Sequence, residues 1–193
     1  MPARKRVGVL ALQGDFEAHG KALERAGAEA VEVRSAAELQ GIDGLVIPGG
    51  ESTTMLKLIG QEALFEPLKE FGAVKPIFGT CAGAILLATG VTNPEQASLH
   101  LMDIDVERNA YGRQVDSRIG RLKPKGMESD LEAVFIRAPI IRRVGRDAEV
   151  LATFDGNPVL VSQGRHMVAT FHPELTSDPA IHRMFVDKLG RDA

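Results

Sequence analysis

Residues 7–12 (Val7-Gly8-Val9-Leu10-Ala11-Leu12) form an unbroken apolar run, and a run of that length predicts a strand buried on both faces. Residues 16–26 follow with helical composition and stop at Gly27, a candidate C-cap. The alternation continues. Short apolar runs at 30–33, 45–47 and 76–78 predict strands, and 52–59 and 63–71 predict helices closed by Gly60 and Gly72. Residues 84–88 predict a helix apolar on nearly every side, hence one buried against the sheet. Beyond residue 100 the pattern changes: 101–106, 133–136, 150–154, 159–162 and 167–171 predict strands with few helices between them. Asn157-Pro158 and Gln163-Gly164 read as hairpin breaks. A last helix is predicted from Asp178-Pro179, with the aspartate as N-cap and the proline at the first helical position. Its Ile181, Met184, Phe185 and Leu189 make one apolar stripe. No repeat, low-complexity tract or linker interrupts the chain, so residues 1–193 are expected to form a single domain. The fold class expected is α/β: three layers, a mixed and mostly parallel central sheet with helices on both faces, and an antiparallel extension.

Composition narrows the function classes more than the fold. Hydrophobic residues are 44% of the chain and charged residues 25%, the globular average. The net charge of −3, from 23 basic and 26 acidic side chains, is not that of a nucleic-acid binder. Arg108, Arg113, Arg118, Arg121, Lys123 and Lys125 do make a basic stretch, but only Tyr111 is aromatic there, so a solvated or partner-facing loop is expected. No apolar run approaches the roughly 20 residues of a membrane helix. The run after Arg4-Lys5-Arg6 is too short for a signal-peptide core. A lone cysteine excludes an internal disulfide and makes a reducing cytoplasm the expected compartment.

That cysteine carries the chemistry. Cys81 sits in Gly79-Thr80-Cys81-Ala82-Gly83, between a predicted strand and a predicted helix. A nucleophile elbow requires this pattern, because its sharp turn tolerates only small neighbours. A helix N-terminus also favours thiolate over thiol. Alone, Cys81 is equally well a small buried hydrophobe. Phe171-His172-Pro173-Glu174 changes the balance. At a strand end, positions i and i+2 share a side, so Glu174 can hold one ring nitrogen of His172 while the other faces Cys81. A Cys81-His172-Glu174 triad follows. Pro48-Gly49-Gly50-Glu51-Ser52-Thr53 is either a turn in which Ser52 or Thr53 caps a helix or a loop of unobstructed N–H groups. Beside Cys81, the second reading makes an oxyanion hole from a Gly50-region N–H and the N–H of Ala82. Cys81, His166, His172 and Glu174 are a poor zinc set, and no metal is expected. His19, His100 and His182 have no companion motif and are assigned no role.

These motifs resemble the triad-type (class I) glutamine amidotransferase family. The resemblance extends to the branch whose members are glutaminase subunits of pyridoxal 5′-phosphate synthase. It rests on Leu10 to Asp15, Pro48 to Thr53, Gly79 to Gly83, Val106 to Gln114, Phe135 to Pro139 and Phe171 to Glu174, in register along essentially the whole chain. It departs at Ala84 and Tyr111, where a bulkier aliphatic residue and a phenylalanine are usual. The resemblance implies a flavodoxin-like fold and hydrolysis of L-glutamine to L-glutamate and ammonia through a thioester on Cys81. It implies a glutamine site at Gly49, Gly50, Glu51, Arg108, Ile136 and Arg137, with Gln13 setting the oxyanion loop. It further implies no cofactor, and a (β/α)8-barrel synthase partner in a large hetero-oligomer that takes the ammonia. The alternatives are a glutaminase of another pathway, such as histidine or purine synthesis, and an inactive partner-binding or redox-sensing domain.

Overall fold

A computed structural model describes residues 2–110 and 117–191. The first half alternates as the apolar runs require: β1 (Arg6–Leu10), α1 (Phe16–Arg25), β2 (Glu29–Val33), β3 (Gly44–Ile47), α2 (Ser52–Gln61), α3 (Phe65–Val74), β4 (Ile77–Thr80) and α4 (Ala82–Leu87). Then come β5 (Ala88–Thr92), β6 (Met102–Glu107), β7 (Ser117–Leu122), β8 (Leu131–Ile136), β9 (Ile140–Val144), β10 (Glu149–Phe154), β11 (Asn157–Gln163), β12 (His166–Ala169) and α5 (Ala180–Val186).

The central sheet has seven strands in the order β10-β11-β12-β4-β3-β1-β2. From β12 to β2 neighbouring strands are parallel, and β10 and β11 extend the sheet as antiparallel strands. In sequence order the parallel part runs second, first, third, fourth, fifth, the doubly wound arrangement in which ligand sites lie beyond the carboxyl ends of the strands. Two apolar cores explain the continuous hydrophobic runs. Leu10, Leu45, Ile47, Ile77 and Val168 point into the core shared with α2, α3 and α4. Val7, Val9, Val46, Phe78 and Met167 point the other way, towards α1, α5 and β8. Strands β1, β3, β4 and β12 therefore spend both sides of their pleat on burial.

The other strands form two small sheets, β5-β6-β9 and β7-β8, so only β10 and β11 extend the main sheet. Strands β5, β7 and β9 were not legible in the apolar pattern. β9 carries Arg142 and Arg143 among its five residues, but both are cross-strand partners of β6. Arg143 reaches Asp103 at 2.6 Å and Asp105 at 2.7 Å, and Arg142 pairs with Glu107. β7 lies where the basic stretch predicted a loop. Arg118 pairs with Asp155 and covers the Phe154 ring, Lys125 pairs with Glu149, and Arg108 is buried. Tyr111 and Arg113 lie outside the described residues.

Several boundaries also differ. α3 runs through Gly72, because a Cβ there would stand 2.4 Å from Leu101: the glycine allows close packing and does not stop the helix. α2 passes Gly60 and ends at Gln61. The β10–β11 turn is Asp155-Gly156, with φ of 49° and 78°, whereas Asn157-Pro158 begins β11. Pro179 is the N-cap of α5, and Asp178 instead accepts the Ala180 N–H at 2.9 Å. Gly27 follows α1 at φ 93°, as a C-cap glycine should.

Candidate active site

Loops leaving β12, β4, β3 and β1 carry His172, Cys81, Gly49-Gly50 and Gln13, in the order of the strands themselves. Cys81 caps α4 with φ 51° and ψ −107°, a conformation strained for any residue with a side chain. The glycines around it show why the turn exists. A Cβ on Gly79 would stand 2.4 Å from the Gly83 carbonyl oxygen, and one on Gly83 2.1 Å from that of Ile47. α4 thus lies directly on β3 and β4, and the chain must reverse within one residue to reach it. The Cys81 N–H donates to the Ala169 carbonyl at 2.8 Å, tying the elbow to β12.

His172 lies beyond β12, and its N–H donates to the Val134 carbonyl at 2.8 Å. Its Nδ1 meets Glu174 Oε1 at 2.7 Å. The expected contact is present, but strand alternation does not make it. β12 ends at Ala169, and His172 caps the 3-10 turn Pro173–Leu175 whose tight winding brings Glu174 back. Gly49 packs against both the imidazole and the thiol and leaves room for them to meet. A Cβ there would stand 2.8 Å from His172 Cε1 and 3.2 Å from Cys81 Cβ. Among the described residues His172 Nε2 has no nitrogen or oxygen partner, so it is left to the sulfur. Burial disfavours the imidazolium, but Cys81 and Glu174 outweigh it and raise His172 from the usual 6.5 to about 10.

Cys81 and Ala82 border a cleft of about 320 Å³ together with Gly50, Glu51, Ser52, Ile85, Arg108, Asn109, Arg137 and Pro139. Gln13 Nε2 donates to the Glu51 carbonyl at 2.6 Å, holding the loop after Gly50, whose φ is 135°. Neither Ser52 nor Thr53 caps α2. Glu51 does, accepting from the Thr53 N–H at 3.0 Å and the Thr54 N–H at 2.7 Å. Partial burial works against its charge, but these N–H donors and the threonine hydroxyls bring its pKa down to about 2. Arg108, 9% exposed, donates to Thr53 Oγ1 at 2.8 Å and lies 3.4 Å from Glu51 Oε1. The Ile136 carbonyl is 4.0 Å from the Cys81 sulfur, aimed there by Arg137 at φ 45°. Every predicted glutamine-site residue is therefore at or beside this cleft. Ser52, Ile85, Asn109 and Pro139 were not predicted, since nothing in their spacing distinguishes them from loop and packing positions.

The zinc set does not assemble: His166 begins β12, at the opposite end from His172, and its Nδ1 accepts the Ile77 N–H at 3.1 Å. Two histidines given no role lie behind Glu174 instead. His19 and His182 are fully buried, with His19 Nε2 3.4 Å from Glu174 Oε2 and His19 Nδ1 2.9 Å from His182 Nε2. One signal was available in the sequence: His19 falls on the apolar stripe of α1 with Ala22 and Leu23.

A doubly wound sheet with an elbow cysteine facing an arginine-lined cleft has the form of a triad-type glutamine amidotransferase. Residues 9–191 match the SNO glutamine amidotransferase family, and the chain belongs to that family. It is 61% identical over 191 residues to "Pyridoxal 5'-phosphate synthase subunit PdxT" of Solibacter usitatus (strain Ellin6076), covering 96% of this chain and 100% of the relative. The protein of the same name from Koribacter versatilis (strain Ellin345) is 55% identical over 181 residues, 94% of each chain. A crystal structure of a glutamine amidotransferase superposes with a TM-score of 0.88 at 47% identity, covering 96% of this chain and 99% of the other. The crystal structure of a putative GMP synthase protein from Thermoplasma acidophilum shares the fold, with a TM-score of 0.71 at 18% identity over 97% of this chain and 95% of its own.

Proposed function

We propose that the chain is the glutaminase subunit of a pyridoxal 5′-phosphate synthase, hydrolysing L-glutamine to L-glutamate and ammonia. The observation that carries this reading is the strained elbow thiol beside an imidazole whose other nitrogen is held by a carboxylate at 2.7 Å. The names of its relatives select the pathway.

On this reading the Cys81 sulfur attacks the side-chain amide carbon of glutamine, and the carbonyl oxygen becomes an oxyanion. N–H groups of the Gly50 region and of Ala82 stabilise it. The imidazolium of His172 protonates the departing nitrogen, so ammonia leaves and a γ-glutamyl thioester remains. His172, now neutral, takes a proton from water as its oxygen attacks the thioester, which releases glutamate and restores the thiolate–imidazolium pair. Glu174 keeps Nδ1 protonated, leaving Nε2 to perform both transfers. The Arg108 guanidinium, already held by Thr53, takes the α-carboxylate. Glu51 is occupied as the cap of α2, which leaves backbone carbonyls such as that of Ile136 to receive the ammonium. Gly49 is glycine because a side chain would separate nucleophile and base.

Free ammonia would be protonated and lost in bulk water, so the product needs an acceptor site close by. We take the partner to be a (β/α)8-barrel synthase in a hetero-oligomer, the complex to be cytoplasmic, and residues 1–193 to act as one amidotransferase domain without cofactor. The test is covalent labelling. A glutamine-like affinity label should add its mass to the peptide containing Cys81, and Cys81→Ala should abolish glutaminase activity while the complex still runs on ammonium salts. Labelling elsewhere, or full activity in Cys81→Ala, would overturn the reading.

A further inference from the structure

The carboxylate behind His172 has a second oxygen, and its surroundings are unusual for a protein core. Among the described residues, Glu174 Oε2 is buried without a hydrogen bond, and His19 Nε2 lies 3.4 Å from it. That nitrogen is also 3.2 Å from Thr80 Oγ1, the residue before the nucleophile. His19 Nδ1 faces His182 Nε2 at 2.9 Å, and His182 Nδ1 has no partner among the described residues. Three elements therefore converge behind the site: α1 brings His19, α5 brings His182, and the turn after β12 brings Glu174.

Both histidines are neutral near pH 7. Burial, then the neighbouring His182 and His172, holds His19 well below 6.5, and burial, then Arg25, brings His182 to about 3. Each ring thus carries one proton, and only two arrangements place one proton in the 2.9 Å contact. If His19 Nδ1 donates, its Nε2 is bare and opposes a carboxylate oxygen, and the His182 proton sits on buried Nδ1 with nothing to receive it. If His182 Nε2 donates, the His19 proton is on Nε2, between Glu174 Oε2 and Thr80 Oγ1, and the one ring nitrogen left over is a bare acceptor. The second arrangement leaves no orphaned ring N–H and no pair of opposed acceptors.

We propose that His19, its tautomer set by His182, is a positioning residue for the hydrolysis of glutamine: its Nε2–H, bonded to Thr80 Oγ1 and 3.4 Å from the second oxygen of Glu174, turns the positive end of its dipole to that oxygen, so that the first is presented to His172. The proposal rests on the triad reading above. It explains why two buried imidazoles stand where leucine or phenylalanine would pack without a polar group to satisfy. It also joins both sides of the site through one element, since the loop carrying Gln13 leads directly into α1.

The test uses the chain with its synthase partner. His19→Leu removes the donor. His19→Gln replaces it, because the glutamine amide nitrogen reaches the place of Nε2, whereas the shorter His19→Asn reaches only that of Nδ1. His19→Leu and His19→Asn should lower kcat about 10–100-fold, the loss typical when the outer hydrogen-bond partner of a metal-bound histidine is removed. KM for glutamine should stay within about twofold, and His19→Gln should recover most of kcat. Should His19→Leu fail to fold, the comparison of His19→Gln with His19→Asn decides. Equal kcat in those two variants, or parental kcat in folded His19→Leu, would overturn the proposal. Cys81→Ala run alongside separates the two ideas: an inactive Cys81→Ala beside a normal His19→Leu rejects the positioning role alone, whereas an active Cys81→Ala rejects the triad itself.

Discussion

Arg108 and His172 show how much depends on individual atoms. One guanidinium nitrogen of Arg108 is already committed to Thr53 Oγ1 at 2.8 Å, so the fork is oriented before substrate arrives. Lysine would keep the charge and lose both the anchor and the bidentate geometry. Losing one charge-assisted bond costs about 1.5–3 kcal/mol, so Arg108→Lys should reduce kcat/KM for glutamine by roughly ten- to over a hundredfold. Unchanged kcat/KM would exclude the role. His172 offers a spectroscopic check. Its folded-state pKa of about 10 lies above the ordinary 6.5, so its proton-linked contribution to stability is complete below about 6.5 and is lost as pH rises through 10. Its imidazole resonances should titrate near 10. In Cys81→Ala they should titrate lower, because burial then opposes the charge with only Glu174 to resist it. A midpoint unmoved by Cys81→Ala would mean that the sulfur does not act on the ring.

At the scale of elements, the junction of β3, β4 and α4 is what makes the elbow at Cys81. Gly79 and Gly83 remove the side chains that would hold the helix off the sheet, and the close approach forces Cys81 into its strained turn. A methyl group on Gly83 would meet the Ile47 carbonyl oxygen at 2.1 Å, and backbone cannot swing aside as a side chain does. Gly83→Ala should therefore destabilise the fold by about 1–3 kcal/mol, read from the denaturant midpoint at unchanged m-value. It should also depress kcat, because the elbow opens as α4 lifts. A variant with the parental midpoint would show that the contact relaxes without cost. The Gly-x-Cys-x-Gly spacing was readable as an elbow because the requirement is local. Strand β9 was not, because its two arginines are explained only by the acidic face of β6 lying beside it.

For the molecule as a whole, the site is assembled from four neighbouring strand ends, and its most adjustable part is the loop at Gly49 and Gly50. Gln13 holds that loop by a single hydrogen bond to the Glu51 carbonyl. An oxyanion donor that turns away typically costs about 10²–10³ in kcat. A partner seated over the carboxyl edge of β1 would stabilise the aligned loop, so glutamine turnover should rise on adding excess synthase to the purified chain. Gln13→Ala should dock yet respond weakly. Equal kcat with and without synthase, or a normal response in Gln13→Ala, would defeat the idea.

Much of this was legible along the chain, and for a physical reason. Hydrophobic runs buried on both faces, glycines demanded by close backbone approach, and an elbow around a lone cysteine are short-range requirements that leave their mark on consecutive residues. The central strands, α1 to α4 and the juxtaposition of Cys81, His172 and Glu174 belong here. Other features depend on residues far apart meeting in space. The i, i+2 contact of His172 with Glu174 was anticipated, but it arises from a 3-10 turn and not from strand alternation. Glu51 became the cap of α2, displacing the Ser52 or Thr53 cap that the loop composition allowed. His19 and His182 are 163 residues apart and carry no motif, and packing α1 against α5 placed both behind Glu174. A buried polar group takes its meaning from the partners that satisfy it, and folding alone supplies those partners.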